Sequence, residues 1–454
     1  MSYNKNVYLF LLFFKKISMK IIKRSLFTFL EQQIEKNVYL IIVGPRQVGK
    51  TVLLRYLRDT VLPKKYPESK IFYFNLENED LLPHFSTYQT LISYLRLHGF
   101  KDKQKTFLLL DEFQKMSQPT KLLKLLYDKH PNLQVIATGS SSLDIFQNLR
   151  TESMSGRKLV FKMLPLDFAE FLHFQDSHQA NIFKNLTPNA DDKLIQNTLQ
   201  SDLNQPFLEF ITYGGYPRVV LSDTEQDKKY FLKEIYNSYV QKDIQGILKL
   251  DNTAPYTKLV SLLSAQIGNL LSKNEVSNTL QINLDELEKY LTVLEKTFII
   301  KLVRPFFVNK RKEITKMPKI YFIDTGLRNW IIHDFNQLEL RQDIGAIMEN
   351  FVFNELYKNL SIGWQIFFWR TRQKTETDFI IKCNQDLFPV EVKYKSFQKP
   401  IVPSGLKAFI NNYNSQIKNA FVLTKDFSAQ TEFNGISVRF LPIPLASKVL
   451  QIIE

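Results

Sequence analysis

Residues Gly44-Pro45-Arg46-Gln47-Val48-Gly49-Lys50-Thr51 spell Gly-x-x-x-x-Gly-Lys-Thr and follow the apolar run Val38-Tyr39-Leu40-Ile41-Ile42-Val43. Such a run predicts a buried parallel strand. Val52-Leu53-Leu54-Arg55-Tyr56-Leu57, on the other side, predicts the first turns of a helix. Strand, loop and helix in this order are the context in which the pattern cradles phosphate. The glycines let the backbone turn successive N–H groups inward, and the helix N-terminus adds its dipole. Lys50 is placed to reach the β- and γ-phosphates, and Thr51 to offer its hydroxyl to Mg²⁺. With only 14 glycines in 454 residues, a chance match is improbable. The expectation is a nucleoside triphosphate on Gly44, Pro45, Arg46, Gln47, Val48, Gly49, Lys50 and Thr51. The bland alternative is a Gly-rich turn that binds nothing.

About sixty residues on, Thr106-Phe107-Leu108-Leu109-Leu110 predicts a second buried strand, ending in Asp111-Glu112. An Asp there is placed to hold Mg²⁺ opposite Thr51, and Glu112 to polarise a water for attack on the γ-phosphate. Leu133-Gln134-Val135-Ile136-Ala137 predicts a third strand, followed by Thr138-Gly139-Ser140-Ser141-Ser142. Ser140 is the candidate sensor of γ-phosphate and attacking water, although a helix N-cap explains any one of these serines equally well. Buried strands alternating with amphipathic stretches predict an open parallel sheet covered by helices, with ligand at the strand carboxyl ends.

The loop, Asp111-Glu112-Phe113-Gln114 and Thr138-Gly139-Ser140-Ser141-Ser142 together resemble a prokaryotic family of AAA+ P-loop ATPases whose members carry an uncharacterised C-terminal domain. Further matches are Ser155-Gly156-Arg157, Leu164-Pro165-Leu166-Asp167-Phe168, Gly214-Gly215-Tyr216-Pro217, Tyr239-Val240-Gln241-Lys242-Asp243-Ile244 and the run from Lys319 to Leu327. The resemblance covers nearly everything after residue 19. It implies an α/β fold: a P-loop NTPase parallel sheet with a helical lid, then a winged helix, then a nuclease-like C-terminal domain. It also implies ATP and Mg²⁺ as cofactors, and ATP sites at subunit interfaces of a homo-oligomer. Arg157 lies where such ATPases often carry an arginine that reaches a neighbouring subunit's γ-phosphate. The alternative is an arginine that caps a strand end or pairs with an acidic lid residue such as Asp167 or Glu170.

Composition sets wider bounds. A single cysteine, Cys383, excludes an intrachain disulfide framework and a cysteine zinc cluster, and fits a reducing cytoplasm. A net charge of +15 favours a polyanionic partner, with a Lys-rich bias spread over solvated faces as the alternative. No stretch reaches the roughly 18 apolar residues of a membrane span, so no membrane association is expected. The nearest, Val7 to Phe14, is flanked by Lys5 and by Lys15-Lys16. Met19-Lys20-Ile21-Ile22-Lys23-Arg24 is how proteins of the resembled family tend to begin, so 1–19 is expected to be a non-structural extension.

The expected organisation is an ATPase core over 20–165, a helical lid over 166–250, a winged-helix segment over 251–330 and a nuclease-like domain over 331–454. Pro165 fits the first turn of a helix, and Gly214-Gly215 a helix stop with positive φ. Three helical stretches after residue 254, then Phe298–Leu302 and Lys319–Ile323 as a hairpin, predict the winged helix. Its connection carries Lys301, Arg304, Lys310, Arg311, Lys312, Lys316 and Lys319 against Glu313. Lys310, Arg311 and Lys312 are the candidate DNA-phosphate contacts; a solvated hairpin tip is the alternative.

A second acidic set closes the chain. Asp378 opens a strand, and Phe388-Pro389-Val390-Glu391-Val392-Lys393 is the next. Alternation puts Glu391 and Lys393 on one face. Asp378 and Glu391 are candidates to share Mg²⁺, with Lys393 orienting a water and Glu349 of an upstream helix completing the site. Glu, Asp and Glu-x-Lys in this order resemble the PD-(D/E)xK nuclease superfamily. Two functions follow: an ATPase acting on DNA, with or without Mg²⁺-dependent cutting, or a non-nucleolytic regulatory ATPase whose C-terminal modules dock partners.

Overall fold

The computed structural model describes residues 21–36, 38–140, 156–188, 190–239 and 253–454. The 1–19 extension, Ser141, Ser142, Ser155 and the 240–244 motif residues therefore lie outside the described residues. So do the side chains of Lys310 and Lys312.

Five strands form the first sheet: β1 (Tyr39–Val43), β2 (Lys70–Asn75), β3 (Thr106–Asp111), β4 (Leu133–Gly139) and β5 (Lys158–Lys162). Their order is β2-β3-β4-β1-β5 and every pairing is parallel. β1, β3 and β4 are buried along their whole length, as the unbroken apolar runs require. β2 and β5 are the edges and only partly buried. The helix Lys50–Tyr56 leaves the loop after β1 and continues through a π turn, Leu57–Val61, to Leu62–Lys65.

Helices then dominate from Phe168–Gln175 to Glu225–Ser238. The first begins two residues later than Pro165 suggests. Asp167 is its N-cap, accepting the Glu170 backbone N–H at 2.8 Å, and a side-chain cap overrides the proline signal. The helix Asn204–Tyr213 stops at Gly214, whose φ is +77°. A Cβ on Gly214 would lie 2.3 Å from Asp324 Oδ1, so the chain there demands glycine. The Asp324 carboxylate accepts the Gly215 and Leu327 N–H groups at 2.7 and 2.8 Å. Asn329 donates to the Ile211 and Thr212 carbonyls, both at 3.0 Å. Two motifs over a hundred residues apart thus lock together across the expected boundary at 250.

Helices Ala254–Ala265, Lys273–Leu280 and Leu284–Lys296 lead into the antiparallel pair β6 (Ile300–Val303) and β7 (Lys319–Phe322). Ser272 and Asn283 cap the second and third helices. The connection between the strands contains a short helix, Lys310–Thr315. The last sheet comprises β8 (Gln365–Arg370), β9 (Glu376–Cys383), β10 (Asp386–Lys393), β11 (Asn419–Thr424), β12 (Ala429–Phe433) and β13 (Ile436–Pro442), in the order β12-β13-β11-β10-β9-β8. One apolar core runs from the first sheet through the helices to Phe351, Phe379 and Phe421. A smaller one, with Trp369, Leu406 and Phe409, lies under the helix Ser404–Tyr413. Among the described residues no helix is long and apolar enough to cross a membrane.

Candidate nucleotide site and C-terminal acidic centre

The loop 44–49 leaves the carboxyl end of β1 between two neighbours, β4 and β5. Two of its glycines are obligatory for different reasons. A Cβ on Gly44 would lie 2.0 Å from the Met163 carbonyl oxygen, and Gly49 has φ +99° at the start of the helix. Gln47, also in the left-handed region at φ +62°, completes the turn. Lys50 is buried, and its ammonium donates to the Gly44 and Pro45 carbonyls at 3.0 and 2.8 Å. Thr51 follows it in the first turn of the helix Lys50–Tyr56.

Asp111 ends β3, two strands from β1 and therefore roughly 10 Å from it by interstrand spacing. Its carboxylate accepts the Thr138 hydroxyl at 2.5 Å and the Tyr73 hydroxyl at 3.3 Å. Glu112 has φ +57°, a bend that turns its side chain back toward the end of β4. There the Gln114 amide donates to both the Glu112 carboxylate and the Ser140 hydroxyl, the latter at 2.7 Å. Ser140 is buried, and its backbone N–H lies 3.5 Å from Glu112. The structure thus gathers the loop, Asp111, Glu112 and Ser140 at one edge of the sheet. Thr138 and Gln114, which the sequence reading quoted without roles, hold two of these groups. Thr138 carried a signal, as the last polar residue of a buried strand; Gln114, three residues past the end of β3, did not.

Arg157 lies elsewhere. It precedes β5, its carbonyl accepting the Tyr39 N–H at 2.9 Å, so it stands at the amino ends of β1 and β5, opposite the loop. Its guanidinium pairs with Asp128 at 2.9 Å and stacks over Tyr127, not with Asp167 or Glu170. Glu170 is instead taken by Arg24, which meets it at 2.5 Å. Arg24 also donates to the carbonyls of Val48, inside the loop, and Leu164, at 3.3 and 2.8 Å. The same junction receives Glu355 and Lys358 from the helix Ile344–Lys358: Glu355 accepts the Phe168 N–H at 3.0 Å and Lys358 donates to the Leu166 carbonyl at 2.9 Å. Burial pushes the Glu355 carboxyl up to about 8, with the Asp167 charge adding to the rise.

At the other end of the molecule Glu391 and Lys393 share one face of β10 and pair at 2.6 Å. Asp378 is the third residue of β9, which begins at Glu376, and its carboxylate accepts the Val392 N–H at 2.8 Å. With Glu376 these residues line an open cavity of about 400 Å³, together with Lys374 and Ser404. Burial, reinforced by the Asp378 charge, raises Glu391 to about 8. Glu349 faces the same centre from the helix Ile344–Lys358.

Two members of the expected basic connection are paired with acids, and one of them, Lys319, is buried. Lys301 pairs with Glu295 at 2.7 Å. Lys319 is buried in the acidic centre, 2.8 Å from Glu349 and 4.0 Å from Asp378, and it pairs with Glu376 as well. Strand alternation is the reason: β7 directs Lys319 and Tyr321 to the same side, against the helix Ile344–Lys358. Arg304, Arg311 and Lys316 remain at the surface. Among the described residues no group of three or more His, Cys, Asp or Glu is arranged to hold a metal ion.

Residues 36–172 match the AAA domain family, 204–338 match a domain of unknown function (DUF8612), and 344–446 match a second domain of unknown function (DUF4143). The chain is 26% identical over 408 residues to an uncharacterised protein of Haemophilus influenzae, covering 88% of this chain and 92% of that one. It is 28% identical over 368 residues to an uncharacterised protein of Methanocaldococcus jannaschii, covering 80% and 75%. Among solved structures, the Aeropyrum pernix ORC2 protein aligns with a TM-score of 0.37 at 11% identity, over 68% of this chain and 90% of that chain. The Aeropyrum pernix ORC1 protein aligns with a TM-score of 0.30 at 14% identity, over 68% and 91%. Residues 36–172 thus combine the match to an AAA domain with the loop and parallel sheet of a P-loop fold.

Proposed function

We propose that this protein is an AAA+-like ATPase that hydrolyses ATP at the 44–51 loop and uses the cycle to act on DNA. The observation that carries the reading is the convergence of Lys50, Asp111, Glu112 and Ser140 on the carboxyl ends of three adjacent buried strands. Lys50 neutralises the β- and γ-phosphates, Glu112 takes a proton from the attacking water, and Ser140 orients that water. The residues fit Mg²⁺: Asp111 is fixed by Thr138 and Tyr73 at the sheet edge, with Thr51 opposite. When bound, Mg²⁺ neutralises developing phosphate charge, and Thr51 and Asp111 are the residues that would hold it. Segment 166–250 serves as the lid, tied to the loop through Arg24.

Segment 251–330 is read as a winged helix, supported by three helices, two of them capped by side chains, and an antiparallel hairpin. Arg304, Arg311 and Lys316 give it exposed cations for phosphate. Segment 331–454 is read as nuclease-like, supported by Asp378, Glu391 and Lys393 around one cavity. A second reading, a non-nucleolytic regulatory ATPase with docking modules, is favoured by the seat of Lys319 among the carboxylates. The test is incubation with branched, single-stranded and duplex DNA, with Mg²⁺ or Mn²⁺, with and without ATP. ATP turnover lost in Lys50→Ala supports the ATPase. Metal-dependent cutting lost in Asp378→Ala supports the nuclease, and no cutting on any substrate supports the second reading.

A further inference from the structure

The hairpin and the last sheet meet at a charge arrangement that a metal-dependent centre does not have. Lys319 opens β7, and its side chain is 3% exposed. Its ammonium donates to Glu349 at 2.8 Å, pairs with Glu376 and stands 4.0 Å from Asp378. Tyr321, on the same face of β7, donates its hydroxyl to the same Glu349 oxygen at 2.6 Å and stacks on Phe353. Of the three acids expected at the site, Asp378 and Glu349 therefore already face this cation, and Glu391 pairs with Lys393 at 2.6 Å.

We propose that the Lys319 ammonium is the resident cation of the C-terminal acidic centre, and that in the intact chain the centre takes no divalent metal and does not cut nucleic acid. A divalent ion placed against Asp378 and Glu349 would have to share their oxygens with a buried, hydrogen-bonded ammonium of the same sign. Like charges at such separations repel, most strongly where they are buried. Withdrawal of the lysine is blocked by how β7 is held. Asn350 of the Ile344–Lys358 helix donates to the Phe322 carbonyl at 2.7 Å and accepts the Phe322 N–H at 2.8 Å, pinning the free edge of the strand. Further along the same edge the Gly268 and Leu271 N–H groups are given to the Ile320 and Pro318 carbonyls at 2.8 and 2.7 Å, while β6 pairs with the other edge. Lys319 is thus a positioning residue: it neutralises carboxylates that burial would otherwise hold apart, and it joins the hairpin to the domain that follows.

This inference rests on the geometry of the centre alone and stands whether or not the loop hydrolyses ATP. Its test is Mn²⁺ binding to the full chain without nucleotide, followed by electron paramagnetic resonance, with Asp378→Asn as the reference that isolates this centre from the loop. Wild type and Asp378→Asn are expected to bind Mn²⁺ alike. Lys319→Ala is expected to gain a site, at least tenfold tighter than any in wild type, that vanishes when Asp378→Asn is added, and to gain thermal stability from Mn²⁺. Lys319→Arg, which keeps the charge, is expected to gain none. A wild-type Mn²⁺ site that disappears in Asp378→Asn overturns the proposal, and this measurement needs no folded Lys319 variant. A folded Lys319→Ala that binds no additional Mn²⁺ overturns it too.

Discussion

The Gln114 amide lies 2.7 Å from the Ser140 hydroxyl, joining the turn after β3 to the end of β4. Its other hydrogen goes to Glu112. One side chain therefore clasps the proposed base and the proposed sensor. The bond occupies a Glu112 oxygen that the attacking water would otherwise reach. Gln114→Ala is expected to raise basal ATP turnover severalfold, measured as phosphate release without partners. A fall would mean that Gln114 positions Glu112 for attack rather than restraining it.

Glu112→Gln keeps a polar group within reach of Gln114 but cannot accept a proton from water. General-base loss costs about 10²–10⁴-fold in rate. The variant is expected to retain ATP binding and to lose turnover on that scale, checked by nucleotide binding and phosphate release side by side. Wild-type turnover would remove Glu112 from the mechanism.

Lys50→Ala removes a buried cation that the loop carbonyls hold in place. Charge-assisted hydrogen bonds contribute about 1.5–3 kcal/mol each. ATP affinity should drop by at least tenfold while the fold survives, as read by calorimetry and circular dichroism. Unchanged affinity would contradict the phosphate role.

Arg24→Ala leaves Glu170 buried without its guanidinium and cuts the tie to Val48. Removing one partner of a buried pair costs about 3–5 kcal/mol, so unfolding in urea should shift to much lower concentration. Deleting residues 1–18 spares Arg24 and should leave stability and ATP turnover unchanged. Loss of folding on that truncation would show that the Val7–Phe14 run has a structural role.

Glu355 supplies a pH signature. Its carboxyl is raised by burial, and next by Asp167, to about 8, against an ordinary value near 4.3. Between those two values the native state holds a proton that the unfolded chain has released. The contribution is complete below about pH 4 and is lost as pH rises through 8, with a slope on the order of 1 kcal/mol per pH unit. Glu355→Gln keeps the oxygen that accepts the Phe168 N–H and cannot ionise. Its melting temperature should fall less than that of wild type between pH 6 and pH 9. Parallel curves would rule out Glu355 as the titrating group.

Arg157 faces Asp128 at the end of the sheet away from its own loop. If it serves a γ-phosphate, that phosphate belongs to another subunit. Mixing Arg157→Ala with Lys50→Ala, each inactive alone, should then restore some hydrolysis. A mixture that co-assembles and stays inactive assigns Arg157 to holding β5 beside Asp128.

The nucleotide half was largely legible in the chain because its signals are local. A buried parallel strand needs an unbroken apolar run, as in β1, β3 and β4, and the turn after β1 needs glycine at 44 and 49 and a lysine one residue later. The edge strands β2 and β5 were not, because half-exposed edges need no such run. Capping likewise put the helix start at Phe168 rather than at Pro165. What only the tertiary structure decided was which distant charges meet. Nothing in the sequence near Lys319 tells it from its basic neighbours on the hairpin. Strand alternation and the docking of β7 on the Ile344–Lys358 helix carry that one lysine into the carboxylates of Glu349, Glu376 and Asp378. Gly214 and Asp324, Arg24 and Glu170, Glu355 and Phe168 are pairs of the same kind. Each partner is ordinary in its own stretch of chain, and burial, which makes an unpaired charge or polar group costly, is what selects them for one another.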